Sequence, residues 1–168
     1  MFAWRLTGQH LKQDDIGESV GGPVDTHMYG IEAGIETHGF EISLVGSVIG
    51  DDDIIYPWGH DFLVSAVVCD LYQAEGKGWR AVLVYDYSEI GIPGLIAKVA
   101  HAQFNTPDRG NNAGPDVNET DFDLRYKFKG TLDGTGIRAR YGVINQDKSL
   151  GGEDYTDMRM QLTYDFEF

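Results

Sequence analysis

The last twelve residues of the chain alternate without interruption between apolar and polar side chains. The apolar positions are Met158, Met160, Leu162, Tyr164, Phe166 and Phe168. Successive side chains of a β-strand point to opposite faces of its sheet, so the pattern predicts a strand with one apolar and one polar face. Such a strand is longer than the five or six residues (roughly) that are usual in soluble proteins.

The same alternation recurs upstream and predicts about eight long strands in all. Its apolar phases begin at Phe2, Tyr29, Phe40, Trp79, Phe122 and Ile137. The stretch from Leu95 to Phe104 carries small or apolar residues in both phases, and we place Lys98 on its polar face. No segment of useful length has helical periodicity. The sequence therefore predicts a single all-β domain over residues 1–168, built from antiparallel strands.

The segments between the predicted strands alternate in length. The short ones, rich in glycine, are His38-Gly39, Ile90–Gly94 and Gly130–Gly136; the long, acidic ones are Gln13–Asp25, Asp51–Lys77, Asn105–Glu119 and Gln146–Asp154. Short turns at one end and long loops at the other are typical of outer-membrane barrels. Within the longest loop, Phe62–Leu71 is predicted either as a short strand or as a loop that lies across a pore.

Periodicity alone does not decide whether the apolar face points into a soluble barrel or out into lipid. Aromatic residues gather near the strand ends, as in interfacial girdles. The strand lengths fit the roughly 9–11 residues of a tilted membrane-crossing strand. The chain ends on Phe168, which resembles the signal read by the outer-membrane barrel assembly machinery, so we expect that machinery as a partner. These features favour a transmembrane β-barrel, with a soluble lipocalin-like ligand-binding barrel as the alternative.

Composition and motifs exclude several classes of function. A hydrophobic fraction of 42% and short apolar runs exclude a helical membrane protein. A net charge of -14 and a pI of about 4.5 argue against a nucleic-acid partner. The single cysteine, Cys69, excludes an internal disulfide, and the five histidines lack metal-ligand spacing. Because no motif pairs a nucleophile with a base, we expect neither an enzyme nor a cofactor.

The basic residues are sorted by position along the chain. Of the 13, nine fall on the polar phase of predicted strands, and these include Arg80 and Lys98. Arg125, Arg138, Arg140 and Arg159 lie on the last three strands, so we expect one basic strip on the barrel interior, which Lys127 extends toward the short turns. The guanidinium fork suits carboxylates, and a row of forks would let an anion pass from one site to the next.

The acidic residues fall into two groups, one on the inward phase of the strands and one in the long loops, and each group has two possible roles. Some share the inward phase and either form a wall opposite the basic strip or pair with the arginines and neutralise them; these are Glu32, Glu36, Glu41, Asp86 and Asp123. The acids of the long loops either are solvated surface or bind lipopolysaccharide through bridging divalent cations, which makes outer-membrane lipid an expected partner.

Several blocks of this sequence resemble the OprD family of substrate-specific outer-membrane porins. They are Lys77-Gly-Trp-Arg-Ala-Val-Leu-Val-Tyr-Asp-Tyr, Gly91-Ile-Pro-Gly-Leu, Glu119-Thr-Asp-Phe-Asp-Leu-Arg-Tyr, Gly136-Ile-Arg-Ala-Arg-Tyr and Asp157-Met-Arg with the aromatic tail. Their order and spacing are specific over roughly residues 60–168 and weaker before. The resemblance implies passive uptake of small carboxylate-bearing solutes, such as amino acids and small organic acids, across a Gram-negative outer membrane. Its basic ladder maps onto Arg125, Arg138, Arg140 and Arg159, and less closely onto Lys127.

The resemblance also implies a barrel of about eighteen strands, more than this chain supplies. We therefore expect this chain to be the C-terminal part of a porin whose N-terminal strands and signal peptide are missing. The inward loops that narrow the family's pore are expected mostly in the missing part. A small eight-stranded outer-membrane barrel with a structural or adhesive role is an alternative, and a homotrimer is one assembly that stays open.

Overall fold

The structure is a computed structural model that describes residues 2–16, 24–55, 64–108 and 110–165. It contains one antiparallel sheet whose eight strands follow chain order. The strands are β1 (Phe2–Ile16), β2 (Val24–Thr37), β3 (Phe40–Ile49), β4 (Lys77–Asp86), β5 (Leu95–Asn105), β6 (Val117–Lys127), β7 (Thr135–Gln146) and β8 (Tyr155–Tyr164). Each strand pairs with its neighbour in sequence, so the sheet is an up-and-down meander. The prediction of about eight long antiparallel strands is confirmed.

The connections have the predicted alternation of lengths. β2 and β3 are joined by His38 and Gly39 alone, with φ of 46° and 78°, because a two-residue turn that matches the strand twist needs positive φ at both positions. The 3₁₀ turns Tyr87–Ile90 and Gly130–Leu132 lie at the same end, and Lys148–Leu150 lies at the other. In barrels of this kind the long loops lie on the extracellular side. The end of the sheet that carries the short turns is therefore assigned as periplasmic, and the opposite end as extracellular.

In the described part of the chain, no helix has the length and apolar character needed to span a membrane.

The apolar phase of the strands faces outward, away from the concave side of the sheet. Trp4, Met160 and Leu162 are 74%, 77% and 75% exposed, whereas Asp121 and Asp123 on the opposite phase are 3% and 7% exposed. A soluble barrel has the reverse arrangement, with apolar side chains inside and charged ones in water. The structure therefore contradicts the lipocalin-like alternative and has the orientation of a transmembrane barrel.

Aromatic side chains mark both edges of the outward apolar band. At the periplasmic end, the ring centroids of Phe40 and Tyr85 are 4.3 Å apart and those of Tyr126 and Phe128 are 4.9 Å apart. At the extracellular end, the Trp79 indole Nε1 donates a hydrogen bond of 3.0 Å to Gln103 Oε1. Tyr and Trp at this level have an apolar body in lipid and a polar atom at the interface, as an aromatic girdle requires. The predicted aromatic ends at Phe166 and Phe168 lie outside the described residues.

The long β3–β4 connection folds back into the concave side of the sheet. Its side chains join a buried apolar cluster at the extracellular end of the interior, formed by Met28, Val45, Ile49, Ile54, Val64, Leu71, Ala102 and Phe104. Residues 64–76 of this connection, here named the inward loop, contain one isolated bridge between Ser65 and Asp70 and otherwise no strand pairing. Of the two alternatives predicted for Phe62–Leu71, its described residues 64–71 therefore form a loop on the inner side of the sheet rather than a strand.

The sheet has two open edges in the described residues. β1 and β8 are its first and last strands, and neither pairs with the other. Their outward side chains are among the most exposed of the molecule, as Trp4 and Met160 show. An open edge is not tolerated in hydrocarbon, since each unpaired backbone group costs several kcal/mol there (roughly). The sheet of the described residues is therefore not closed into a barrel by its own strands.

Candidate functional site

The inner face of β6 organises the interior of the sheet. Its inward side chains, from the extracellular to the periplasmic end, are Val117, Glu119, Asp121, Asp123, Arg125 and Lys127. Three carboxylates thus precede two cations along one face, because every second residue of a strand shares a face. Glu119 and Asp121 contact the inward loop, whereas Asp123 contacts arginines of β7. The interior therefore has an extracellular level and a periplasmic level.

At the extracellular level, Glu119 and Asp121 hold the backbone of the inward loop. Glu119 is fully buried, and its two carboxylate oxygens accept hydrogen bonds from the amides of Val68 at 2.8 Å and Cys69 at 2.9 Å. Asp121 Oδ2 accepts from the amide of Val67 at 3.1 Å. We name Glu119 and Asp121 the acid clamp. Hydrogen bonds from N–H groups to carboxylates are roughly twice as strong as neutral ones, so the clamp fixes three consecutive loop amides against the barrel wall.

Other contacts fix the rest of the β3–β4 connection. Arg80 on β4 donates through Nη1 to the carbonyl oxygen of Ser65. The side chain of Gln13 makes two hydrogen bonds with the backbone of Ile55, at 2.6 and 2.8 Å. Asp53 Oδ1 accepts from the amide of Ala74 at 2.7 Å. The connection is therefore held from β1, β4 and β6, and it narrows the extracellular half of the interior.

The thiol of Cys69 lies within the inward loop and is half-buried. Burial, followed by the nearby Glu119 carboxylate, raises the pKa of the Cys69 thiol to about 12. Its Sγ lies 3.9 Å from the hydroxyl oxygen of Tyr155. A thiol with so high a pKa stays protonated at neutral pH and is a poor nucleophile. Cys69 therefore belongs to the packing of the loop.

At the periplasmic level, four arginines converge on the inner faces of β6, β7 and β8. Arg125 lies directly opposite Arg138 across the β6–β7 pair, and Arg140 lies opposite Arg159 across the β7–β8 pair. We name these four residues the arginine cluster. Adjacent strands are about 4.8 Å apart, so guanidinium groups on neighbouring strands lie within reach of one small anion. The sequence prediction that these residues share one strip of the wall agrees with this register.

Carboxylates neutralise the arginine cluster only in part. Nε of Arg138 lies 2.9 Å from both oxygens of Asp123, and Nη2 of Arg138 contacts Asp123 as well. Nε of Arg140 is 3.4 Å from Asp123 Oδ2, too far for a good hydrogen bond. Arg159 donates to Asp157 at 2.6 Å. Two carboxylates thus form ion pairs with three of the four guanidinium groups, and Asp86 attracts Arg125 without an ion pair, so the cluster keeps a net positive charge.

The other predicted basic residues take different positions. Lys98 on β5 lies directly opposite Asp123, at the level of Arg140, and extends the cluster by one strand. Lys127 lies opposite Gly136 near the periplasmic end of β6 and is exposed. Arg80 is set apart from the cluster, since it is opposite Ala102 and bonded to the inward loop. The structure therefore brings five of the seven predicted residues together.

For the inward acids, the structure favours pairing over an opposing acidic wall. Arg5 contacts Glu32 at 2.7 Å and Glu41 at 3.0 Å, and Asp123 contacts two arginines. No role for Glu119 or Asp121 was predicted from the sequence. A signal was present, because two acids stand in the same inward phase as Asp123 and have no arginine or lysine beside them on β5 or β7.

No three histidine, cysteine, aspartate or glutamate side chains of the described ranges are grouped so as to hold a metal ion. The interior offers instead a loop-narrowed passage with a polar wall and a basic patch. Such a surface can contact and release a small anion without forming a covalent bond to it, since arginine is a donor that never acts as a base.

Comparison with known protein families supports this interpretation. The family model described as outer membrane porin, OprD family, matches residues 2–168. The chain belongs to the OprD family of outer-membrane porins. Such porins lie in the outer membrane of Gram-negative bacteria, which gives the outward apolar band its lipid environment. Porins of this family are channels of the outer membrane.

Solved structures of Pseudomonas aeruginosa proteins share the fold at low sequence identity. OccK10 (OpdN) superposes with a TM-score of 0.85 at 19% identity, over 99% of this chain and 49% of its own. OpdL gives a TM-score of 0.84 at 19% identity, over 97% and 46%. OpdK, solved with vanillate, gives 0.80 at 19% identity, over 97% and 44%. This chain thus spans about half the length of the structures it matches. The comparison with curated proteins gave no match.

Proposed function

We propose that this chain forms part of a porin for passive, selective diffusion of small carboxylate-bearing solutes, such as amino acids and small organic acids. Arg125, Arg138, Arg140 and Arg159 serve as sequential carboxylate contacts, with Lys98 beside them. The observation that carries the proposal is the excess of guanidinium groups over carboxylates in the arginine cluster. Lys127 offers the next cation toward the periplasm, and Arg80 acts at the inward loop.

The geometry of the cluster supports exchange rather than tight capture of an anion. Asp123 already occupies Arg138, so an incoming carboxylate competes with a resident one at that position. Arg140 is less fully paired, and Arg125 makes no ion pair with a residue that the structure describes. A solute therefore meets contacts of graded strength along the wall. Moderate, repeated binding is what conduction requires, since a deep well would retain the solute.

A known relative supports the solute class. The solved OpdK structure contains vanillate, a small aromatic carboxylate. A planar carboxylate is also the group that a guanidinium fork binds in bidentate fashion. Among anions of similar size, we therefore expect carboxylates to pass more readily than spherical ions.

We infer that the chain supplies the last eight strands of a barrel of about eighteen strands. The open edges of β1 and β8 and the coverage of about half of each matched structure support this assignment. The reading frame upstream of Met1 tests it: a signal peptide with about ten further strands is expected, and a stop codon directly before Met1 would contradict it. Recognition of Phe168 by the assembly machinery and a homotrimeric assembly stay predictions; Phe168 lies outside the described residues.

The arginine cluster is tested by removing its two central charges. In planar-bilayer recordings of the reconstituted barrel under a salt gradient, Arg138→Ala with Arg140→Ala is expected to lower the anion-to-cation permeability ratio by several-fold. The physical reason is the loss of two partly desolvated positive charges on the inner wall. The measurement is the reversal potential, first with chloride and then with a small carboxylate.

A charge-matched control separates the cluster from the overall charge of the protein. Lys12→Ala with Lys148→Ala also removes two positive charges, but these lysines are paired with Asp14 and Asp154 at the extracellular end. The control should keep the wild-type reversal potential. Identical potentials for the arginine variant and the wild type would reject the cluster as the selective element.

A further inference from the structure

Among the described residues, three shallow apolar grooves lie on the outward, lipid-facing side of the sheet. Their volumes are about 420, 380 and 360 Å³. The largest lies at the extracellular ends of β2, β3 and β4, and its outward lining residues are Tyr29, Ile31, Gly46, Val48, Lys77, Trp79 and Asn105. We name it the upper groove. The other two lie nearer the middle of the apolar band, around Ala33 and around Ala97 and Ala139.

A missing side chain creates the floor of the upper groove. Gly46 is paired with Ile31 on one side and with Trp79 on the other, so two large outward residues flank a position without a Cβ. A Cβ at Gly46 would find its nearest non-neighbouring atom, the carbonyl oxygen of Gly78, at 3.9 Å. The space is therefore open. Glycine weakens a strand interior, and here it leaves room for another group to approach the backbone closely.

A single cation stands at the rim of the upper groove. Lys77 is exposed, has the outward phase and makes no ion pair with any residue that the structure describes. Asn105, opposite Lys77 on β5, donates to Asp116 at 2.8 Å. In the other two grooves the lining cations are Arg5, Lys98 and Arg140, whose side chains point to the inner face. Only the upper groove among these three thus combines an apolar floor with a positive charge on the lipid side.

We propose that the upper groove binds an acyl chain of a phosphorylated glycolipid of the outer leaflet, with a phosphate against Lys77. The extracellular position of the groove puts Lys77 at the level of the headgroups and Gly46 below it in the hydrocarbon. Cations at this level attract anionic headgroups, and the aromatic walls of Tyr29 and Trp79 suit the boundary between chain and headgroup. Trp79 is held in place by its hydrogen bond to Gln103.

The test is native mass spectrometry of the purified protein in detergent with added lipid A. Wild type is expected to retain lipid A, whereas Gly46→Leu, which fills the floor, and Lys77→Gln, which removes the charge, should each reduce the retained fraction at least threefold. Gly8→Leu and Lys12→Gln are the matched controls. Gly8 is also outward, has nothing within 4 Å of a Cβ and lies outside the groove, and Lys12 is paired with Asp14.

The outcomes discriminate between a site and general lipid coating. Loss of retention in both groove variants with wild-type retention in both controls supports the proposal. Equal retention by all five proteins, or equal loss in the controls, overturns it. Phosphatidylethanolamine, which lacks net charge, should be retained less than lipid A by the wild type, and equal retention of the two lipids also overturns it. If Gly46→Leu does not fold, Lys77→Gln decides alone.

Discussion

The two halves of β6 use the same side-chain chemistry for different purposes. In the extracellular half, the carboxylates of Glu119 and Asp121 accept hydrogen bonds from backbone amides of the inward loop. In the periplasmic half, the carboxylate of Asp123 faces guanidinium groups of β7. The first pair shapes the passage by holding a loop, and the third acid tunes the charge of the wall. What an inward acid does in this barrel thus depends on which partner the register brings to it.

The loss of a carboxylate has a different cost in the two halves of β6. Removal of Glu119 leaves two loop amides without acceptors and removal of Asp121 leaves one, and each unsatisfied buried group costs about 1–3 kcal/mol. Removal of Asp123 leaves no such donor stranded in the loop, but it frees positive charge that a solute can meet. Changes in the clamp should therefore alter loop position, whereas changes at Asp123 should alter selectivity.

The largest expected effect comes from breaking the clamp. Glu119→Ala removes the acceptor of two amides, and two charge-assisted hydrogen bonds are worth about 3 kcal/mol or more together, so loop opening should rise by tenfold or more. Cys69, the only cysteine of the chain, reports on it. We expect its maleimide labelling at pH 8 to accelerate at least tenfold and single-channel conductance to increase.

The control for this variant is an inner-face acid that does not contact the loop. Glu41→Ala removes a carboxylate bound to Arg5, far along the sheet from Cys69. Its labelling rate should equal that of the wild type. A labelling rate in Glu119→Ala no faster than in Glu41→Ala would show that the other ties of the loop, through Arg80 and Gln13, hold it without the clamp.

A smaller effect of opposite character is expected at Asp123. Asp123→Asn keeps the shape of the side chain but removes the charge that pairs with Arg138 and Arg140. The anion-to-cation permeability ratio should rise about twofold to threefold. The rise is modest because water beside the wall weakens the Coulomb interaction between a single wall charge and a passing ion. Asp133→Asn, in the exposed periplasmic turn, is the control. A fall in the ratio, or a rise in both variants, would refute the assignment of Asp123 as the element that limits anion preference.

The sequence predicted much of this molecule because strand alternation is a local signal. The phases of Phe122 and Arg125 follow from neighbours in the chain, and the inversion of polar and apolar faces followed from strand length and aromatic ends. For the inward loop, which was one of two predicted alternatives, the contacts with the barrel wall were not predictable in the same way. Its amide at Val68 finds its acceptor at Glu119, 51 residues away, and no periodicity encodes such a contact. Likewise, that Asp123 binds Arg138 more closely than Arg140 depends on rotamers and register, which the pattern alone does not fix.

The smallest expected effect is the pH dependence of Cys69 labelling in the unaltered protein, which tests whether the inward loop is shielded by the clamp. Burial raises the pKa of the Cys69 thiol to about 12. The thiolate is the reactive species, so the sign is fixed: a raised pKa lowers the thiolate fraction at every pH below it. Labelling of the folded barrel should therefore continue to accelerate as pH rises beyond 9, whereas labelling of the urea-unfolded chain should level off near the ordinary thiol pKa of about 8.5. Stopped-flow maleimide kinetics between pH 7 and 10 measure both profiles. Should the folded protein level off at the same pH as the unfolded chain, Cys69 is not shielded, and the loop is not pressed against the wall as the amide contacts of Glu119 require.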